Sequence, residues 1–199
     1  RRTAMTTTAR MLPPFMDVAE FIVWPGDGTG TRYELVDGVL RAMAPASDAH
    51  NTIVTRLAVI LDGIVRQNRP GCRVVTSPGT QPRISADWNF RIPDIGVTCA
   101  PNVSGAVMTP DPILLVEVLS PGNAADTREN VRAYATLPSV TEILVVHATR
   151  MRAELLRRDA KGDWPMGPVM VEAGSRVELE SLGAGFLVDE VYAGTHLAG

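Results

Sequence analysis

The sequence predicts a mixed α+β fold, and three observations carry that reading. An Asp-Gly pair joins two short β-prone runs near residue 37, a long amphipathic helix follows, and two almost wholly apolar strand-like runs flank a later helix. Hairpins and helices interleaved in this order do not give the regular alternation that a doubly wound parallel sheet requires. The 199 residues suit one domain with a substantial core. We expect residues 1–12 to be a flexible tail or a cloning remnant, and residues 13–199 to form that single domain.

The elements follow in order. Asp17 to Trp24 reads as a short helix ended by Pro25-Gly26. Arg32 to Val36 and Val39 to Met43 flank Asp37-Gly38, which predicts a tight hairpin because Gly accepts the positive φ of a type I′ turn. Ser47 or Asp48 caps a helix running to about Asn68, with His50, Ile53, Leu57, Ile60, Leu61 and Ile64 on its apolar stripe. Strands are predicted at Arg73–Thr76, Gln81–Ile84, Pro93–Cys99 and Ile113–Ser120. A helix from Asp126 or Thr127 to near Leu137 follows, then strands at Glu142–His147 and Arg152–Arg157, and two short C-terminal strands at Val169–Glu172 and Val177–Leu179.

Composition excludes several classes. The chain is 45% hydrophobic and 21% charged, and its net charge of −3 argues against a strong nonspecific grip on nucleic acid. No apolar run approaches the roughly 20 residues that span a bilayer, and the N-terminus lacks the apolar middle of a secretion signal. A cytoplasmic protein is expected. Cys72 and Cys99 are too few and too isolated for a disulfide framework or zinc site, and read as buried reduced thiols. Of the 19 basic residues 18 are Arg, and Lys161, the only lysine, falls in an expected exposed turn.

Chemistry is signalled first by Glu117, inside the apolar run Ile113 to Leu119. An ionised carboxylate there must meet a cation, bind a metal or hold a proton. Upstream, Ile92-Pro93-Asp94-Ile95 places a second acid at the mouth of another strand. Two acids on neighbouring strands are the minimum for a divalent ion. Each has a structural alternative: Asp94 as a strand-entry residue bonding backbone amides, Glu117 as half of a buried ion pair with an Arg.

This series resembles the PD-(D/E)XK nuclease superfamily, and more closely the restriction-endonuclease-like family called Uma-two. The resemblance is carried by Tyr33 to Gly38, Pro45 with His50, Ile92-Pro93-Asp94, Val116-Glu117-Val118-Leu119-Ser120-Pro121, Tyr134, Val140 to Val146, Leu182-Gly183 and Phe186 to Glu190. It implies a restriction-endonuclease-like core, a mixed sheet of four or five strands flanked by helices. It also implies that Asp94, Glu117 and the main-chain carbonyl of Val118 bind one or two Mg²⁺ or Mn²⁺ ions, and that DNA is the substrate. Glu34 would be a helper carboxylate, against the alternative of an exposed strand residue. His50 would point inward as a satisfied structural histidine or a proton-handling group. A homodimer is plausible by the same resemblance.

One departure qualifies the chemistry. The superfamily's Lys would stand at Leu119, and the resembled family's Lys four residues before Tyr134, at Asn130. Asn130 can hydrogen-bond but brings no charge, while Arg128 and Arg132 project from other faces of the same helix. Three functions therefore compete: a metal-dependent DNA endonuclease, a nuclease-fold binding module without turnover, and a hydrolase of some other phosphate ester.

Overall fold

Asp17 opens the first helix of the computed structural model, which describes residues 12–198, so most of the predicted N-terminal tail lies outside the described residues. Its carboxylate accepts the Glu20 amide at 2.8 Å, and Glu20 returns the bond to the Asp17 amide, capping α1 (Val18–Val23). β1 (Tyr33–Val36) and β2 (Val39–Ala42) then form the expected hairpin, with φ of 46° at Asp37 and 81° at Gly38. This two-residue turn fixes the register, pairing Val36 with Val39 and Glu34 with Arg41. Ser47 caps α2 (Asp48–Asn68), whose buried face is His50, Ile53, Leu57, Leu61 and Val65. Ile60 and Ile64, expected on that stripe, are only half-buried because Val65 completes it.

β3 (Arg73–Thr76) is the edge of a six-stranded sheet that continues through β4 (Ile95–Thr98), β5 (Pro112–Leu119), β6 (Glu142–His147), β7 (Arg152–Arg157) and β8 (Val169–Glu172). Only β5 and β6 run parallel, and α3 (Ala124–Tyr134) makes the crossover between them. The resemblance implied four or five strands; β8 joins the main sheet and makes six. β9 (Arg176–Leu179) pairs instead with β10 (Ala184–Leu187), which leads into α4 (Val188–Tyr192). Gln81–Ile84, predicted as a strand, is irregular: pairing there stops at a single bridge from Thr80 to Arg91. α3 starts at Ala124, two residues early, because Asn123 turns back to bond Ser120, and it stops at Tyr134 before Pro138 forbids continuation.

Alternation along β5 separates two cores. Leu114, Val116 and Val118 face α2 and α4, packing with Ile53, Leu57, Leu61, Leu144, Val146 and Tyr192. Leu115 faces α3, packing with Val131, Tyr134, Ile143 and Val145. Glu117 therefore falls on the α3 side, two residues beyond Leu115. Each fully buried Leu or Ile contributes about 1.5–3 kcal/mol, so the two layers around β5 hold its backbone, and Glu117 with it, in a fixed place.

The cysteines overturn their expectation. The β3–β4 register, in which Arg73 pairs with Thr98, carries Cys72 beside Cys99, and the two form a disulfide. Neither is a buried core thiol: Cys99 is exposed and Cys72 half-buried. Lys161 lies exposed in its turn, as expected.

Candidate active site

Among the described residues Glu117 meets no Arg, which leaves the ion-pair alternative without a partner. Its Oε1 accepts the Tyr134 hydroxyl at 2.6 Å and the Asn130 amide at 3.4 Å. Asn130 and Tyr134 are i and i+4 on α3, so one face of that helix presents both donors to one carboxylate. Glu117 is 5% exposed. Burial, and then the charge of Asp94, push its carboxyl well above the usual carboxylate range, against the downward pull of the Tyr134 hydrogen bond. Burial also raises Tyr134 well above an ordinary phenol, with the Glu117 charge adding to it, so the hydroxyl stays protonated as a donor.

Asp94 is held at the entrance of β4. Its Oδ2 accepts the Val118 amide at 2.7 Å and lies 3.3 Å from His50 Nε2. The amide bond reproduces part of the structural alternative, but from the neighbouring strand and not from the local turn. Val118's N–H points toward Asp94, and its carbonyl projects from the same edge of β5, because a strand residue presents both backbone groups to one side. That carbonyl also accepts Asn123 Nδ2 at 3.2 Å. His50 does point inward, 8% exposed at the first turn of α2, and its Nδ1 is buried without a partner.

Glu34 is buried at 4%, so the exposed-residue alternative fails. Its Oε1 accepts the Ile92 amide at 2.8 Å and Asn130 Nδ2 at 3.2 Å, while Oε2 accepts Arg41 Nη2 at 2.7 Å. The structure thus brings Glu34, Asn130 and Glu117 into one hydrogen-bonded group, with Asp94 and His50 beside it across Val118.

The positive charge absent from Asn130 stands on β2. Arg41 Nη2 donates to Asn130 Oδ1 at 2.6 Å as well as to Glu34, and its Nη1 reaches Glu129 at 2.8 Å and Asp126 at 3.2 Å. Sequence reading missed Arg41, although the two-residue Asp37-Gly38 turn alone sets Arg41 opposite Glu34. Arg128 does not substitute: both of its Nη atoms grip Glu154 on β7, which also bonds His147 at 2.7 Å.

Among the described residues no three His, Cys, Asp or Glu side chains form a ready-made metal cage. The donors at hand are two carboxylates and a main-chain carbonyl, all hard oxygens. That set fits Mg²⁺ or Mn²⁺, which take few protein ligands and keep several waters. The excess negative charge that lifts Glu117 is also what a bound cation would relieve.

A mixed sheet flanked by helices, with acids gathered where β4 and β5 part, is the architecture of a nuclease-like fold. A solved structure titled as a putative nuclease belonging to DUF820, from Anabaena variabilis, has the same fold with a TM-score of 0.69 at 14% identity, covering 89% of this chain and 98% of that one. The chain belongs to the Uma2 family, described as "Putative restriction endonuclease", whose pattern matches residues 18–189. It is also 31% identical over 187 residues to uncharacterized protein slr1290 of Synechocystis, spanning 91% of this chain and 93% of the relative.

Proposed function

We propose that this protein is a divalent-metal-dependent endonuclease that hydrolyses phosphodiester bonds of DNA, with Asp94, Glu117 and the Val118 carbonyl as the metal-binding group. The observation that carries the reading is the carboxyl of Glu117, buried with no cationic partner among the described residues and flanked by the charge of Asp94. A bound Mg²⁺ or Mn²⁺ supplies a Lewis acid that acidifies an attacking water and neutralises charge on the phosphate.

The chain's own residues do the rest. Tyr134 and Asn130 fix the rotamer of Glu117, leaving Oε2 as its free ligand oxygen. His50 steadies Asp94 from the other side and can take up or return a proton near it. Glu34, pinned by the Ile92 amide, assists by holding Arg41 and Asn130 in place. Arg41 stays charged at every working pH, so it stabilises phosphate charge and accepts no proton. A homodimer would place two such sites on one duplex, and no helix of the described residues is long and apolar enough to cross a membrane.

Calorimetric titration with Mn²⁺ followed by nicking of supercoiled plasmid tests the proposal. Wild type is expected to bind Mn²⁺ and to nick, and Glu117→Ala to do neither. Absence of metal binding by wild type, or nicking that survives Glu117→Ala, rejects it. One observation favours a second reading, a binding module without turnover: both Nη atoms of Arg41 are engaged by Glu34, Asn130, Glu129 and Asp126. Metal binding and DNA binding without nicking would select that reading.

A further inference from the structure

Arg91 is 2% exposed, yet only one of its three nitrogens is satisfied. Nη2 donates to Asn89 Oδ1 at 2.9 Å and to Glu129 Oε1 at 3.0 Å, while Nε and Nη1 are buried without a partner. A guanidinium carries five N–H donors, and burying three of them unmatched is costly unless an acceptor arrives. The neighbour that arrives is half suited to the task. Glu129 sets one oxygen on Arg91 and the other on Arg41 Nη1 at 2.8 Å, while remaining 44% exposed itself.

An exposed carboxylate bridging two guanidinium groups has the charge and the two-oxygen reach of a phosphodiester oxyanion, and Arg forks bind phosphate in that bidentate way. From this bridge hydrogen bonds continue without a break: Arg91 to Glu129, Glu129 to Arg41, Arg41 to Asn130, and Asn130 to Glu117. We infer that Arg41 and Arg91 form a phosphate seat for DNA beside the acidic site, and that Glu129 fills it as an internal stand-in which an incoming phosphate displaces. The inference rests on reading the neighbouring acids as a phosphodiester site. Asp126 and Glu34 also face Arg41, but Glu129 is the one acid among the described residues that touches both arginines, so its removal takes a carboxylate partner from each.

Removing that carboxylate, while keeping the residue's size, must strengthen phosphate binding. The probe is a fluorescein-labelled DNA oligonucleotide in EDTA, followed by anisotropy, so that no metal chemistry intervenes. Glu129→Gln is expected to bind it about 5–20-fold tighter than wild type. Asp62→Asn, which removes an exposed acid paired with Arg66 on α2, controls for net charge and is expected to change affinity less than about 2-fold. Adding Arg91→Lys to Glu129→Gln keeps the charge, loses the fork and should return affinity to the wild-type level. Should Arg91→Lys not fold, Arg41→Lys in the same background is the alternative arm.

A Glu129→Gln gain no larger than that of Asp62→Asn overturns the seat, and so does a gain that survives loss of the fork. The two readings fail separately. Tighter binding by Glu129→Gln with no nicking under Mn²⁺ keeps the seat and rejects the nuclease, and nicking with unchanged Glu129→Gln affinity does the reverse.

Discussion

Tyr134 donates its hydroxyl to Glu117 Oε1 at 2.6 Å, and both residues are buried between β5 and α3. The bond does two things at once: it satisfies a buried carboxyl oxygen and draws down a carboxyl that burial and Asp94 push up. Tyr134→Phe keeps the ring and removes only the donor. It should cost about 1–2 kcal/mol in urea denaturation. Glu117 should then hold its proton to higher pH, shifting the onset of Mn²⁺ binding upward in calorimetry at stepped pH. An unshifted onset would falsify the assignment of this bond to the ligand.

The raised Glu117 carboxyl makes metal-free stability depend on pH, with a definite sign. Between the ordinary carboxylate value and its own raised value, the folded protein holds a proton that the unfolded chain has released. Stability from this group is therefore complete below the unfolded value and is lost as pH rises through the folded one. In EDTA, melting temperature should fall across that window, and Mn²⁺ should restore it at neutral pH. Glu117→Gln cannot ionise, so its melting curve should lose that part of the pH dependence and its response to Mn²⁺. A wild-type curve parallel to that of Glu117→Gln counts against the whole account.

Glu117 stood out because a carboxylate in an apolar run is costly, and strand alternation gave its face. The Asp37-Gly38 turn gave the hairpin, and pairing outward from it gives Glu34 opposite Arg41. What hairpin arithmetic cannot supply is the third element: Arg41 meets Asp126, Glu129 and Asn130 only because the fold brings α3, more than 80 residues later in the chain, within reach of its side chain. Cys72 and Cys99 read as separate thiols in the sequence for the same reason. Their pairing follows from β3 lying antiparallel beside β4, an arrangement with no local signature.

The Cys72–Cys99 bridge closes a loop with a sequence separation of 27, which contains the Thr80–Arg91 bridge and Asp94. Constraining a loop of this length in the unfolded chain stabilises the fold by about 3 kcal/mol in the chain-entropy view. Dithiothreitol, or Cys72→Ser with Cys99→Ser, should lower stability by about 2–4 kcal/mol in urea. Protein purified without reductant should show no free thiol on denaturation. Two titratable thiols per chain would show that the bridge does not form.

Asn130 and Arg41 share one charge position, which leads to a coupled prediction. Asn130 Oδ1 lies 2.6 Å from Arg41 Nη2, so Asn130→Lys sets an ammonium against a guanidinium and should destabilise the protein although position 130 also faces Glu34 and Glu117. Arg41→Gln alone strips Glu34 of its cation and should cost about 2–4 kcal/mol, less than a fully buried pair because Arg41 is 19% exposed. Combined, the new Lys takes over the charge that Arg41 gave up. The double variant should then be more stable than the sum of the singles by about 1–2 kcal/mol in a double-mutant cycle. It should also nick plasmid faster than Arg41→Gln alone, because a cation again adjoins Glu117. Additive stabilities, within about 0.5 kcal/mol, would mean that the two positions do not exchange charge. Arg41 would then be a hairpin clamp with no part in the electrostatics of the acid cluster.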